Sequence, residues 1–452
     1  MNLSTQKPVI PATVASNTFS TKENFRTQAS SLGVAAVVPF PLGTATIDGI
    51  NLSFDGLGNT TVTGGPTTGT LDLGGIPANV IGSEAFKYCS FTGSLVIPNS
   101  VTSIEAGAFY SSGFTGTLVL GNSLTTIGMD AFQACRSFTG SLVIPNSVTS
   151  IGNSSFGSCY GFNSLTIGNS VTSIEDAAFV DCYGFTGSLV LPNSLTTIGS
   201  SAFYGCRGFT GSLVIPNSVT TIGDRAFYYC GGITSLTVGN SVTTINSEAF
   251  STCASLASVT LGNSLTTIGD RAFYYCTGLT GSLTLPNSVT SIGSYAFYLC
   301  SGLTGSLVIP NSVTTIESNT FQNCGFTGSL VIPNLVTTIG ANAFNGCVSL
   351  SALTLGNSLS SIGAYAFGGN DLRSIILPNA LSSVGVAAFE NNINLTTVYA
   401  DLNAAFVDST AFTTYMGPVV SVIYYQADRT GWTNPWNDIP TAEWTSYPDP
   451  MP

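Results

Sequence analysis

Residues 285–300 read Leu285-Pro286-Asn287-Ser288-Val289-Thr290-Ser291-Ile292-Gly293-Ser294-Tyr295-Ala296-Phe297-Tyr298-Leu299-Cys300, and nearly the same words recur along most of the chain. Leu95-Val96-Ile97-Pro98-Asn99, Leu118-Val119-Leu120-Gly121-Asn122 and Leu142-Val143-Ile144-Pro145-Asn146 each open another copy. A phenylalanine anchors every copy, from Phe86, Phe109 and Phe132 through Phe227, Phe250 and Phe273 to Phe367 and Phe389. The spacing is 23 or 24 residues, once 22, which makes fourteen units; Phe412 marks a degenerate fifteenth. A repeat this short cannot bury its own apolar face, so coils must stack and share a continuous core. The fold class that follows is a repeat solenoid of about 14–15 coils.

Each position in the unit has a physical reading. In Leu95-Val96-Ile97 the first and third side chains point inward and the second outward, the period-2 mark of a strand. Stacked coils are expected to join these strands into one long parallel sheet, at about 4.8 Å per coil. Pro-Asn or Gly-Asn then signals a turn, whose amide can satisfy backbone groups of a neighbouring coil. Val101-Thr102-Ser103-Ile104 carries the β-branched residues that favour extended structure. A short helical turn is expected next, with Ser83, Asp176, Asp224 and Asp270 placed as N-caps three residues before the anchor Phe.

Composition bounds the function. Only 7% of residues are charged, against roughly 25% in an average soluble domain, while 44% are hydrophobic, enough for a core. Histidine is absent, which removes the commonest general base and metal ligand. No catalytic constellation interrupts the repeat, so an enzyme is not expected, and no cofactor is. The formal charge is −12, from 22 acidic and 10 basic residues. The cations of the repeats stand singly, at Lys87, Arg136, Arg207, Arg225, Arg271 and Arg373. They form no stripe that would hold a phosphate backbone, so nucleic-acid binding is not expected. No run of 18 apolar residues suggests a transmembrane helix. The opening Met1–Phe25 stretch shows no apolar export segment, so three readings stay open: export by another route, no export as a precursor, or a leader already removed, with an extracellular, cell-surface or virion-surface location expected.

The unit Leu285-Pro286-Asn287-Ser288-Val289-Thr290-Ser291-Ile292-Gly293, followed by Ala296-Phe297 and Cys300, resembles the BspA-like leucine-rich repeat. The resemblance covers about residues 71–400. The closing segment Val422-Ile423-Tyr424-Tyr425 through Thr430-Gly431-Trp432 and Ile439–Trp444 is similar to the tail that often ends such arrays. The resemblance implies a leucine-rich-repeat solenoid, and a surface or secreted adhesin that recognises host matrix proteins or other cells. The chain departs from a typical exported adhesin in lacking a visible signal peptide and wall-sorting motif.

The expected organisation is an extended N-terminal arm (1–40), a β cap (41–70) with an Asp48-Gly49 turn signal, the array (71–397), and a degenerate last coil with a C-terminal cap and tail (398–452). Each of the eleven cysteines sits three residues after an anchor Phe. One per coil, in a single packing slot, reads as a buried thiol ladder of small hydrophobes rather than a disulfide framework or a metal site.

Two surfaces compete as the binding site for a protein or glycan on a host or neighbouring cell. The outward position of the Leu-x-Ile strand forms a Val/Thr stripe on the concave face, with Val143, Thr166, Val190, Val214, Thr237, Thr260 and Thr284 at its centre. The anchor turn carries a Tyr stripe, with Tyr228 and Tyr274 beside the hot-spot candidates Arg225 and Arg271 in the twice-used word Gly-Asp-Arg-Ala-Phe-Tyr-Tyr-Cys. The Val/Thr stripe is the preferred face. The alternatives are a structural subunit of a virion fibre or surface filament, self-assembling through residues 1–70, and ice binding by the Thr pairs such as Thr196-Thr197. Adjacent threonines do not share one flat face, which counts against ice binding.

Overall fold

The computed structural model describes residues 17–19, 43–47, 50–54, 60–74, 76, 78–414 and 420–444. The chain divides into two compact units, Met1–Thr186 and Gly187–Pro452. Within each, successive repeats stack as coils of a parallel β-solenoid.

The first unit opens with an antiparallel meander. Gly43–Ile47 pairs with Ile50–Phe54, Ile47 facing Ile50; the Asp48-Gly49 turn between them lies outside the described residues. Ile50–Phe54 pairs in turn with Thr60–Gly64. That strand then runs parallel to Val80–Ile81, matching Thr61 to Val80 and Val62 to Ile81, and so passes from antiparallel cap to parallel array. Asn17–Phe19 adds parallel to Ala45–Ile47; the rest of the expected 1–40 arm lies outside the described residues.

The main ladder is not the one expected from Leu-x-Ile. Its rungs are the Ser/Thr-Ile pairs: Ser103–Ile104, Thr126–Ile127, Ser150–Ile151 and Ser173–Ile174 in the first unit, and Thr197–Ile198 through Ser291–Ile292 in the second. A further ladder joins Thr315–Ile316, Thr338–Ile339, Ser361–Ile362 and Ser383–Val384. The Leu-x-Ile strands pair only in short sets, such as Gly211–Ile215 with Ile233–Val238 and Ser258–Thr260. The reason is length. Cys206 to Leu213 is one residue longer than Cys230 to Leu236, and the Leu-x-Ile strand borders this variable stretch. Where a long unit meets a short one, the surplus residue appears as a register shift between Gly211 and Ser212. Gly211 adopts φ +77° there, a conformation open to glycine.

The expected helical turns are absent, and this corrects the sequence reading. Among the described residues the only helix is the 3₁₀ turn Ala404–Phe406. In the anchor turn, Ala226, Tyr228 and Cys230 donate N–H three residues back, to Gly223, Arg225 and Phe227. The alternate residues Arg225, Phe227 and Tyr229 donate instead to Ser247, Ala249 and Ser251 of the following coil. A helix would keep every N–H in its own coil; here half of them make the rungs between coils. The assigned N-caps act across coils too. Asp224 Oδ1 accepts Ser247 N–H at 3.0 Å, and Asp270 Oδ1 accepts Ser294 N–H at 2.8 Å.

The core is a stack of rings. Phe227 and Phe250 lie 5.2 Å apart and within 2° of parallel, and Phe109 and Phe132 5.1 Å and 5°. A second column runs Phe91, Phe114, Phe138 and Phe162, at 4.8–5.4 Å. The turn asparagines ladder as expected, Asn122 N–H to Asn99 Oδ1 at 2.8 Å and Asn240 N–H to Asn217 Oδ1 at 2.7 Å. All eleven cysteines are buried and none is in a disulfide.

At the C-terminal end, Ser374–Leu377, Thr397–Ala400, Val422–Gln426 and Thr441–Trp444 form a four-stranded parallel sheet. Phe412 stacks on Phe389 at 5.8 Å, continuing the column into the degenerate coil. Trp432 is buried, and its Nε1–H donates to the Leu402 carbonyl at 2.9 Å. Among the described residues no helix is long and apolar enough to cross a membrane.

Candidate functional site

The outward position of each Leu-x-Ile strand is solvent-facing in both units. Val143 and Thr166 are neighbours on paired strands of the first unit, and both are exposed. In the second, Val214, Thr237 and Thr260 form one exposed row across three paired strands. Val190 is 73% exposed and Val214 54%, while the flanking Leu189, Leu191, Leu213 and Ile215 are buried. The alternation that builds the core thus sets these apolar side chains in water. From Leu95 to Leu355 the strand triplets hold no charged residue, so the row offers contact area with little electrostatic selectivity.

Thr284 lies in a groove. The segments at Leu283–Leu285 and Leu307–Ile309 are both of the longer kind, preceded by Leu279-Thr280-Gly281-Ser282 and Leu303-Thr304-Gly305-Ser306, and they do not pair as strands. The space is about 660 Å³, lined by Leu283, Thr284, Pro286 and Val308 with Asn263, Asn287 and Ser306. Sequence reasoning named Thr284 but missed Asn263, Asn287 and Ser306; the signal was two long units in succession.

The second candidate surface lies on the anchor turns. Tyr204 and Tyr228 stack at 5.0 Å, and so do Tyr274 and Tyr298. The coil between carries Ser251 at the matching position, so the sequence-predicted Tyr228 and Tyr274 belong to separate stacks. Glu248 joins the two predicted arginines: Arg225 Nε is 2.6 Å from one carboxylate oxygen and Arg271 Nη1 3.8 Å from the other. The Arg271 guanidinium sits 5.0 Å over the Tyr295 ring, Arg207 5.2 Å over Tyr229, and Arg136 5.5 Å over Tyr160. Burial raises the Tyr228 and Tyr274 hydroxyls above their usual value of 10.0. These contacts join cation, carboxylate and ring along the stack.

Arg225 and Tyr229 adopt left-handed φ of +53° and +60°. Such strain often marks a site. Here Ala177 and Asp181, and Glu248 and Thr252, adopt it at the matching positions, so it belongs to the coil. The first Thr of each pair also serves the stack, with the Thr266 hydroxyl donating to the Thr243 carbonyl at 3.0 Å and Thr125 to Thr102 at 2.9 Å. Among the described residues no cluster of carboxylates and thiols could hold a metal ion.

The sequence profile of the BspA type leucine-rich repeat region matches residues 79–210, 186–304 and 302–416. Among solved structures, a leucine-rich repeat protein from Bacteroides ovatus aligns with TM-score 0.64 at 22% identity, covering 88% of this chain and 99% of its own. A leucine rich cell surface protein from Faecalibacterium prausnitzii aligns over 86% of this chain and 96% of its own, at 23% identity and TM-score 0.36. No curated protein matches the sequence.

Proposed function

The chain belongs to the BspA-type leucine-rich-repeat family, and from that premise we propose that it is a non-enzymatic adhesion protein that recognises a macromolecule on another cell surface through its strand face. The observation that carries this reading is the exposed, charge-free Val/Thr row, seen at Val143–Thr166 and at Val214–Thr237–Thr260. A solvated apolar row repeated coil after coil gains from being covered, at roughly 25 cal/mol per Å² of apolar surface. The Tyr–Arg surface supports a second reading as a protein contact. Tyr and Arg are the residue types that dominate hot spots, but here Glu248 already engages Arg225 and Arg271.

The test sets the two faces against each other. Val190→Glu with Val214→Glu places carboxylates at exposed positions, which costs the fold within about 1 kcal/mol each, yet strips water from them in any complex. Tyr228→Ala with Tyr274→Ala removes the aromatic face. Binding of each purified variant to whole cells is compared with the parent's. The glutamate pair should lose binding and the alanine pair keep it. The reverse pattern transfers the site to the tyrosines.

A further inference from the structure

In the closing coils the outward row changes character. Ile376, Tyr399, Tyr424 and Ala442 occupy matching positions on the last four paired strands. Tyr399 and Tyr424 are half-buried, and their rings stack at 5.3 Å. The inward neighbours Val398, Ala400 and Ile423 are fully buried and already fill the core beneath them. Of the three tryptophans, Trp432 and Trp436 are buried and pack together at 5.0 Å. The third, Trp444, is buried as well and lies 5.2 Å from Tyr399, on the strand side that carries Gln426 and Tyr424. Tyr399 and Tyr424 thus keep part of their rings in water, with Trp444 packed beside Tyr399. Thr397 and Gln426 flank them at positions two residues from the tyrosines, and so on the same face.

We propose that the strand face of the second unit binds a neutral polysaccharide, held by the half-exposed Tyr399–Tyr424 pair, which Trp444 backs, and by the groove at Thr284. This rests on the strand face being the recognition surface, and it names the partner. The outward positions hold no cation to attract an anionic polymer, and the chain's charge of −12 opposes one. Sugar rings have apolar C–H faces that pack on aromatic side chains, and hydroxyl rims that pair with amides and hydroxyls. The tyrosine cluster supplies the first. Asn263, Asn287, Thr284 and Ser306 around the groove supply the second, beside Leu283 and Val308. A row that repeats from coil to coil suits a polymer of like units better than a folded protein of mixed charge.

Affinity electrophoresis of the full chain through gels holding a β-glucan, a mannan, a galactan or the anionic polymer alginate tests this. At least one neutral gel should retard the protein, equally at about 50 mM and about 500 mM salt, since no counterion release is involved. Tyr399→Ala and Thr284→Lys should each weaken retardation at least tenfold, and Tyr228→Ala should not change it. Tyr399→Phe, which keeps the ring, separates lost stacking from a disturbed cap, and thermal melts confirm that each variant folds. Passage through every neutral gel, retardation by alginate alone, or loss with Tyr228→Ala overturns the inference. Cell binding separates it from the broader reading. If periodate oxidation of the target cells leaves binding intact, protease abolishes it, and the Val190/Val214 glutamate pair still blocks it, the partner is a protein; the strand face then stands and the polysaccharide falls. If the glutamate pair has no effect on cell binding, the strand-face reading itself falls.

Discussion

The slot three residues after each anchor Phe asks for more than small size. The Cys135 thiol donates to the Phe109 carbonyl at 3.0 Å, and Cys253 to Phe227 at 3.3 Å. In two of the three units that replace the cysteine the bond survives: Ser112 Oγ donates to Phe86 at 2.6 Å, and Asn392 Nδ2 to Phe367 at 2.8 Å, whereas Asn370 Nδ2 donates to Phe367 of its own coil at 3.1 Å. The common property of Cys, Ser and Asn is a donor aimed at an anchor carbonyl, most often that of an adjacent coil, which a reading of the thiols as small hydrophobes did not contain. Burial pushes the Cys135, Cys182, Cys253, Cys300 and Cys347 thiols up to about 12 from an ordinary 9.0. A raised thiol pKa means the folded state holds its proton where the unfolded chain has released it. Stability is therefore complete below pH 9 and falls between pH 9 and 12, by about 1.4 kcal/mol per thiol per pH unit. Native protein at pH 8 should react with a thiol reagent far more slowly than unfolded protein, and unfolded, unreduced chains should yield all eleven thiols. Denaturant midpoints should drop steeply above pH 9. A midpoint flat to pH 11, or fewer than eleven thiols after unfolding, contradicts the ladder.

A coil is built to lie flat on its neighbour, and certain glycines show how closely. A Cβ on Gly161 would collide with the Phe138 carbonyl oxygen, a backbone atom that cannot rotate away. One on Gly231 would meet nothing within 4 Å. Gly161→Ala should thus cost about 1–3 kcal/mol by forcing coils apart. Gly231→Ala should be neutral or stabilise by up to about 1 kcal/mol, through the unfolded chain. Urea melts of the two variants check this, and equal shifts would contradict the stacking. The same element shows where sequence reasoning stopped. Phe, Ile and Leu spacing fixed the coil and its inward face, and the Val/Thr row was legible because a strand alternates by two. The anchor turn was misread as helical because Asp224 and Ala226 suit a helix taken alone. What decides against it, the bonds from Arg225 and Phe227 into the next coil, exists only between copies. The groove at Thr284 was hidden for a similar reason, since it needs two long units side by side.

At the scale of the molecule, a coil touches only its neighbours, so stability is distributed rather than pooled. Phe227 is fully buried between the rings of Phe203 and Phe250, at 5.3 and 5.2 Å. Replacing it with alanine removes most of a side chain from a site that rigid ladders on both sides prevent from collapsing, at about 3–5 kcal/mol. In a globular domain such a loss would lower protection everywhere, because the whole core opens together. Here it should act over a few coils. Native-state hydrogen exchange of Phe227→Ala should show faster exchange for the anchor-turn amides between about Phe203 and Phe250. The amides around Phe344 and Phe367 in the same unit, and those around Phe109 and Phe132 in the other, should exchange as in the parent. The amides of Arg225, Phe227 and Tyr229 are the direct reporters, since they bridge to Ser247, Ala249 and Ser251. Uniform loss of protection along the chain would mean that the coils unfold as a single unit and that stability does not divide by neighbours. An unchanged pattern at Arg225 and Tyr229 would mean that the phenylalanine column does not hold the turns together.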